Sequence, residues 1–529
     1  MRTALIVGSG PAAAGAALAL ARYDDLRITV VDLGARLEPA LQETAQRLGG
    51  QRQEEWDADV VAEIIGQPVR TAGRGLPRKR AFGSDFPFRN LGQLDGITAA
   101  PGANSDVISG AYGGFSNLWG AQVMPFAHSV VAEWQVGSLD EHYRAVLGEI
   151  PYAAEEDDLA GDFPLLGRAD SLPPLTKRSL NVLANYDRHR ERLQRRGITM
   201  GRARLAMRGS TCVLAGLCHT GCPYGVVYSA SHTFDRLRAE GRIEYRGGML
   251  VTEVSEPEEG VLVVARELQT GARIEFTADR AFIACGGIGT TRLVAGSLGL
   301  LDREISMAES QQFVLPTLSV RPTRDPGAPL FTLNQFNQTL TEDDRAYNLA
   351  QIHYYTYNPA FVDALPGPLK WRMSSVVRTQ LLRRLSVAIG YLPSWRSPRV
   401  GLRLQAASEG ELPDVAVSRG PMPADGRSML IRTILKLTRA GFLLDLYPLL
   451  PLLSVSGAGK SYHFGGSFPH CGGDAGVTGS DRLGRVGGWS RVHLVDASVF
   501  PTVPATTFTL TVMANAHRIA TEAGELPWQ

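Results

Sequence analysis

Gly8-Ser-Gly10-Pro-Ala-Ala13 stands between an apolar run, Thr3-Ala-Leu-Ile-Val7, and an alanine- and leucine-rich stretch that reaches about Tyr23. No other feature constrains the fold as much. The apolar run reads as a buried strand and the stretch after it as a helix. Gly8 permits the tight turn between them, and Gly10 lets backbone approach a pyrophosphate. Ala13 takes the place of a third glycine and still allows close helix–strand packing. The helix start offers free N–H groups and a positive dipole end to phosphates. A second strand, Arg27 to Val31, ends at Asp32, 22 residues after Gly10, where a carboxylate can accept ribose hydroxyl hydrogen bonds. The spacing predicts a βαβ unit that binds a dinucleotide. It does not choose between FAD and a nicotinamide. A small-residue helix packed on a sheet would account for the glycines but not for Asp32.

The 529 residues allow two or three domains and a core large enough to be stable without disulfides. Lys and Arg number 54 against 53 Asp and Glu, which excludes a globally basic nucleic-acid binder. Cysteines number five, an odd count, and three of them fall within eleven residues, which reads as reduced thiols rather than a disulfide framework. The apolar start is broken by Gly8, Gly10, Pro11 and Gly15 and preceded only by Arg2, so it reads as a fingerprint, not a signal peptide. The run Gly441 to Val455 is broken by Asp445, Pro448 and Pro451 and is too short to span a bilayer. The expected location is cytoplasmic.

Residues 35–100 read as irregular apart from a helical start around Glu38 to Leu48, and a glycine-rich stretch, Ser109 to Gly120, follows. Helices are expected over Ser138 to Ile150 and Arg178 to Arg195, then a strand meander from Gly247 to Phe276. Arg280 to Cys285 is a buried strand entering Gly286-Gly-Ile-Gly289. Alternating runs at Phe313 to Val320 and Leu349 to Tyr357 suggest a separate antiparallel sheet. The fold expected is α/β: a split Rossmann-like dinucleotide domain over 1–300, an inserted antiparallel-sheet (α+β) substrate domain over 301–455, and a closing segment of the first domain over 456–529.

The sequence Val495-Asp-Ala-Ser-Val-Phe-Pro501-Thr-Val-Pro504, followed by Thr507 to Ile519, resembles the closing segment of the glucose-methanol-choline (GMC) oxidoreductases. The N-terminal fingerprint, Gly113-Gly-Phe-Ser-Asn-Leu-Trp-Gly120 and Ala281-Phe-Ile-Ala-Cys-Gly-Gly-Ile-Gly-Thr-Thr-Arg-Leu293 match the same family in order. The resemblance covers about 1–300 and 456–525 and does not extend over 301–455. It implies FAD as cofactor and oxidation of an alcohol. It also implies cofactor contacts from Gly8, Gly10, Ala13, Asp32, Gly113, Gly114, Asn117, Trp119, Val251, Gly286, Asp496, Thr507 and Phe508. A helix starting near Phe508 would aim its positive end at the flavin N1–C2=O region and favour the negative charge of the reduced ring.

Ser461-Tyr-His463-Phe-Gly465-Gly466 matches the family stretch that carries the catalytic histidine. A histidine suits removal of a hydroxyl proton because its reference pKa lies near working pH. His463 is therefore the expected base, with His470 a weaker candidate in the same loop. The family's second catalytic position, usually His or Asn, falls here on Thr507, whose hydroxyl can donate or accept but reaches less far.

Cys212-Val-Leu-Ala-Gly-Leu-Cys218-His-Thr-Gly-Cys222-Pro223 has the spacing of a ferredoxin run with its second cysteine removed, and Ala215 stands at the vacant position. Three thiolates suit a 3Fe-4S cluster, and the stretch resembles the iron–sulfur branch of the GMC family, the FAD sugar and polyol dehydrogenases. Zinc using His219 is disfavoured, because adjacent Cys218 and His219 would struggle to bind one tetrahedral ion. A turn-rich loop with no metal is the remaining reading. Cys285 and Cys471 read as packing residues.

From Ala364 to Ser408 there is no Asp or Glu, while Lys370, Arg372, Arg378, Arg383, Arg384, Arg396, Arg399 and Arg403 all occur there. Arg432, Lys436 and Arg439 then fall near one face of a helix, ahead of the apolar run Leu443 to Leu453. Such a surface can rest on anionic lipid or on an acidic partner, or be an ordinary solvated face. Tyr354, Tyr355, Tyr357, Trp371 and Trp395 can stack on a sugar ring or serve as core. The leading expectation is an FAD-dependent dehydrogenase of a sugar, polyol or glycoside, passing electrons through the cluster to a partner subunit or cytochrome. The alternatives are an oxidase using oxygen without a cluster, and a non-catalytic FAD-binding subunit of a membrane-associated assembly.

Overall fold

β1 (Arg2–Val7) lies at the centre of a five-stranded parallel sheet, beside β2 (Leu26–Val31), which pairs with β3 (Glu244–Arg246). On its other side are β4 (Arg280–Ile283) and β5 (Val492–Leu494), giving the order β5-β4-β1-β2-β3. The computed structural model describes residues 1–66, 79–88, 96–325, 330–342, 348–356, 374–408, 410–472 and 476–528. Ala4 to Val7 and all of β4 are buried, as expected for parallel strands covered on both faces. One sheet thus joins the start, middle and end of the chain.

Three helices begin where strands of this sheet end or beside them: α1 (Pro11–Leu20), α2 (Gly287–Ser297) and α3 (Thr509–Glu525). The close approach of α1 to α3 is made at Gly15. A Cβ on Gly15 would lie 2.3 Å from the Met513 carbonyl oxygen, so α1 and α3 can cross this closely only with glycine there. The meander expected after Gly247 is a three-stranded antiparallel sheet, Met249–Ser255, Val261–Glu267 and Arg273–Ala278.

A seven-stranded antiparallel sheet forms the other layer. Its centre is Gln312–Leu318, Leu385–Tyr391, Leu349–Tyr355 and Phe336–Thr341 in that spatial order. Period-2 alternation divides its faces. Phe313, Leu315, Ile352, Tyr354 and Ala388 pack against the helices Lys177–Gln194 and Ala424–Leu444. Val314, Tyr355, Ile389 and Tyr391 form a cluster on the opposite face. A further sheet contains Phe464–Gly465, Glu304–Glu309, Val400–Gln405 and Asp414–Arg419.

The substrate-side layer is not confined to 301–455. Ile198–Arg202 pairs with Phe336–Thr341, and Ile97–Ala99 pairs with Asp414–Arg419. The helix expected from Glu38 is present as Pro39–Gly49, and a second helix, Ala58–Ile65, lies in the stretch read as irregular.

The basic stretch is largely engaged in the fold. Arg396 pairs with Asp425, Arg399 donates to Ser306, Arg383 to the Thr323 carbonyl, and Arg384 to Gln380. Arg432 donates to Glu342 and Lys436 to the Thr341 carbonyl, while Ile431, Leu435 and Phe442 of the same helix are exposed. Tyr354 stacks on Phe336 as core, and Trp395 is half-buried. Tyr357, Lys370, Trp371, Arg372 and the Arg378 side chain lie outside the described residues. Among the described residues no helix is long and apolar enough to cross a membrane.

Candidate functional site

A cavity of about 560 Å³ lies between the parallel sheet and the seven-stranded sheet. Gly8, Gly10, Asp32, Gly114, Trp119, Val251, Gly286, Asp496, Thr507, Phe508 and His463 all line it. Residues separated by up to some 500 positions in the chain are therefore brought to one wall.

The dinucleotide end is built on helix starts. Gly10, Gly286 and Phe508 are the N-cap residues of α1, α2 and α3, none of which has a side-chain cap. Uncapped N–H groups and three positive dipole ends thus converge on one cavity, where an anionic ligand satisfies them. Gly8 has φ +106°, and a Cβ there would meet the Ala284 carbonyl oxygen at 2.5 Å, so the turn admits only glycine. Asp32 accepts hydrogen bonds from Ser9 and, at 3.0 Å, from the Tyr245 hydroxyl. Burial pushes its carboxyl up to about 6 against the lowering effect of those donors. Asp496 is buried, accepts from Thr290 and the Ser498 N–H, and is likewise raised by burial.

Three expected cofactor contacts stand behind the wall. Ala13 is fully buried within α1. Gly113 backs onto Ser229, leaving no room for a side chain. Asn117 donates to the Tyr112 and Gly114 carbonyls at 3.0 and 2.7 Å, so its amide pins the glycine loop and does not face the cavity. Cys285, read as a packing residue, does line the cavity. Cys471 is exposed rather than packed.

His463 is held by its own loop. Ser310 N–H donates to its carbonyl at 2.9 Å, and its N–H donates to Ser461 Oγ at 3.0 Å. Tyr462 beside it has φ +56°, an unfavourable conformation for a bulky residue that the surrounding contacts sustain. The imidazole stacks on Tyr391, with centroids 4.7 Å apart, and packs against Phe508 at 4.9 Å. Its Nδ1 is buried without a hydrogen-bond partner, and burial lowers the ring to about 4, so it is neutral at ordinary pH. Thr507 Oγ1 is buried and unpartnered too. His470 does not reach the cavity. It is buried, with Nδ1 on the Asp481 carbonyl at 2.7 Å and Nε2 facing Asn515.

Several lining residues carried no motif. Lys79 donates to the Leu118 carbonyl at 3.1 Å, and burial lowers it to about 8. Tyr391 and His353 come from adjacent strands of the antiparallel sheet. The only sequence signal for His353 is its place in the alternation of Leu349–Tyr355, on the face opposite Ile352 and Tyr354.

Cys212, Cys218 and Cys222 lie together on one loop, half-buried against a small core that includes Trp119 and Tyr224. Burial, then the neighbouring thiols, pushes Cys212 up to about 11, and burial raises Cys222. Among the described residues no group of three or more His, Cys, Asp or Glu side chains is arranged to hold a metal ion. The arrangement therefore gives the expected 3Fe-4S cluster no support. His219 gives zinc no help, because its Nε2 lies 2.6 Å from the Thr332 carbonyl.

No protein-family model matches the chain, and no curated protein does. Solved structures share its fold. Pyridoxine 4-oxidase from Mesorbium loti superposes with a TM-score of 0.60 at 14% identity, covering 99% of each chain. Two variants of formate oxidase from Aspergillus oryzae RIB40, solved for the effect of mutation on FAD modification, each give 0.59 at 12% and 14% identity. They cover 99% of this chain and 98% of theirs. At such identities the likeness is one of fold.

Proposed function

We propose that this chain is an FAD-dependent oxidoreductase that oxidises the CH–OH group of a small alcohol. The observation that carries the reading is the meeting of two parts in one cavity: the dinucleotide cradle around Gly8, Gly10 and Asp32, and the unpaired polar atoms of His463 and Thr507. The residues fit the cofactor, since three uncapped helix starts suit its pyrophosphate and flavin ends and the buried Asp32 suits a ribose. The fold is shared with a pyridoxine 4-oxidase and with a formate oxidase in which FAD is modified.

When bound, FAD supplies the acceptor for the hydride that leaves the alcohol carbon. His463, neutral and desolvated, takes the hydroxyl proton. Thr507 offers a hydroxyl to the substrate oxygen. Tyr391 and Phe508 fix the plane of the imidazole and exclude water from it. Val314, Tyr355, Ile389 and Val455 make the rest of this end mostly apolar, so the substrate needs an apolar or ring-shaped body behind its hydroxyl. A sugar or polyol remains within the reading, with Tyr355 as its stacking surface. Anaerobic bleaching of the flavin by a panel of aromatic, aliphatic and sugar alcohols tests the proposal. No bleaching by any of them rejects it.

Two acceptors for the electrons follow from different observations. Oxygen agrees with the oxidases that share the fold, and peroxide formation tests it. A cluster at Cys212, Cys218 and Cys222 rests on their spacing in the sequence, on a loop packed near Trp119, which also lines the cavity. Iron and sulfide analysis of anaerobically purified protein decides that point.

A further inference from the structure

The alcohol-oxidising site has a hydroxyl, Thr507, where its resemblance family carries His or Asn, and the structure supplies an imidazole from elsewhere. His353 sits in the middle of Leu349–Tyr355, a central strand of the antiparallel sheet. It is only 3% exposed, it lines the same cavity as His463, and its Nε2 is buried without a hydrogen-bond partner. Leaving a buried ring nitrogen unpaired carries a desolvation cost that a bound polar group removes. The His353 ring packs on Tyr391 with centroids 5.1 Å apart, and the His463 ring stacks on the same Tyr391 at 4.7 Å. One tyrosine therefore locates both imidazoles. Burial, with a smaller effect of the His463 charge on His353, keeps both neutral at ordinary pH.

We infer that His353 is a second catalytic residue, whose Nε2–H donates to the same substrate oxygen that yields its proton to His463. The inference rests on the alcohol reading above. In the step, the O–H bond breaks and an N–H bond forms on His463. The carbon loses a hydride to oxidised FAD, which gains both electrons, and the alcohol becomes a carbonyl. His353 gains and loses nothing. Its donor stabilises the oxygen while negative charge develops there. Thr507 is the weaker partner because its hydroxyl stands on a short side chain, whereas the imidazole projects from a strand fixed on both sides by Phe336–Thr341 and Leu385–Tyr391.

The test compares His353→Phe, His353→Gln and Thr507→Ala in the FAD-loaded protein. With an alcohol that bleaches the wild type, His353→Phe, which keeps ring packing but has no donor, is expected to slow bleaching at saturation about 10²–10³-fold, with KM little changed and FAD content intact. His353→Gln restores part of the rate, because its amide donates. Thr507→Ala costs less than His353→Phe. Wild-type bleaching by His353→Phe, or a larger loss in Thr507→Ala, overturns the inference. A second measurement does not depend on turnover. Imidazole ¹⁵N resonances of His353 and His463 are followed while tert-butanol, which has no hydride to give, is added. Both are expected to move, and an unmoved His353 overturns the inference. If no alcohol bleaches the wild type, the parent reading fails by itself and the resonances still decide His353.

Discussion

The Glu309 carboxylate accepts hydrogen bonds from both the hydroxyl and the N–H of Ser461, at 2.8 and 3.4 Å, two residues before His463. The Gly459 N–H adds a third at 2.9 Å. A buried acid at the end of the strand Glu304–Glu309 thus fastens the loop that presents the proposed base.

Burial pushes Glu309 up from its ordinary 4.5 to about 7, against the effect of those donors. The folded state holds a proton that the unfolded chain releases between these values, so Glu309's contribution is greatest below about 4.5 and is lost as pH rises through about 7. Glu309→Gln keeps an acceptor oxygen and removes the titration. Its stability relative to wild type is expected to improve as pH is raised across that window, measured by urea denaturation at several pH values. Parallel stability curves for the two proteins would show that Glu309 does not titrate there.

His463 is the group whose loss should stop chemistry while leaving the cofactor in place. His463→Ala is expected to lower kcat about 10²–10⁴-fold, the range for a missing general base. Flavin content should match wild type. In the wild type, the fall of kcat/KM on the acid side should follow protonation of a base near pH 4 rather than the ordinary 6.5. Retained turnover in the variant removes His463 from the role.

Acid should destabilise the protein unusually early. His219, His353 and His470 are lowered to about 3, and His463, His493 and His517 to about 4, all chiefly by burial. Each is neutral when folded, but in the unfolded chain takes up a proton near 6.5, so stability is full above that value and lost as pH falls from about 6.5 toward 4. Asp32, Asp157, Asp162, Glu309 and Asp496 are raised by burial and offset part of this loss. Differential scanning calorimetry should show Tm falling steeply over that interval. A flat Tm would mean that these rings are protonated or solvated in the native state.

Gly8→Ala tests the cradle. The new Cβ would meet the Ala284 carbonyl at 2.5 Å in a backbone conformation that L residues avoid, a strain of about 1–3 kcal/mol. The variant should fold with lowered Tm and carry less flavin, read from its 450 nm absorbance per chain. Full flavin loading would show that the turn adjusts.

The parts legible in the sequence are those in which chemistry is packed into a short stretch of chain. Gly8, Gly10 and Asp32 lie within one βαβ unit, so spacing marks them, and His463 is marked by the family resemblance of its own short stretch. The close approach of α1 to α3 at Gly15 carries no such mark, because it depends on how a distant helix crosses. His353 was illegible for a similar reason. All seven residues of Leu349–Tyr355 are buried, so polarity does not mark the functional face until the cavity is known. The cysteine spacing is plain in the sequence, whereas the burial that raises Cys212 and Cys222 depends on the small core around them, which includes Trp119 and Tyr224.

β5 and α3, from the last forty residues, complete a sheet and a helix pair begun by β1 and α1. Neither that edge of the sheet nor the third helix start of the cradle exists until this late segment has docked on the early one. The cradle is therefore a product of long-range tertiary folding rather than of the βαβ unit by itself, and a chain whose late segment is undocked leaves β4 as an open strand edge prone to association.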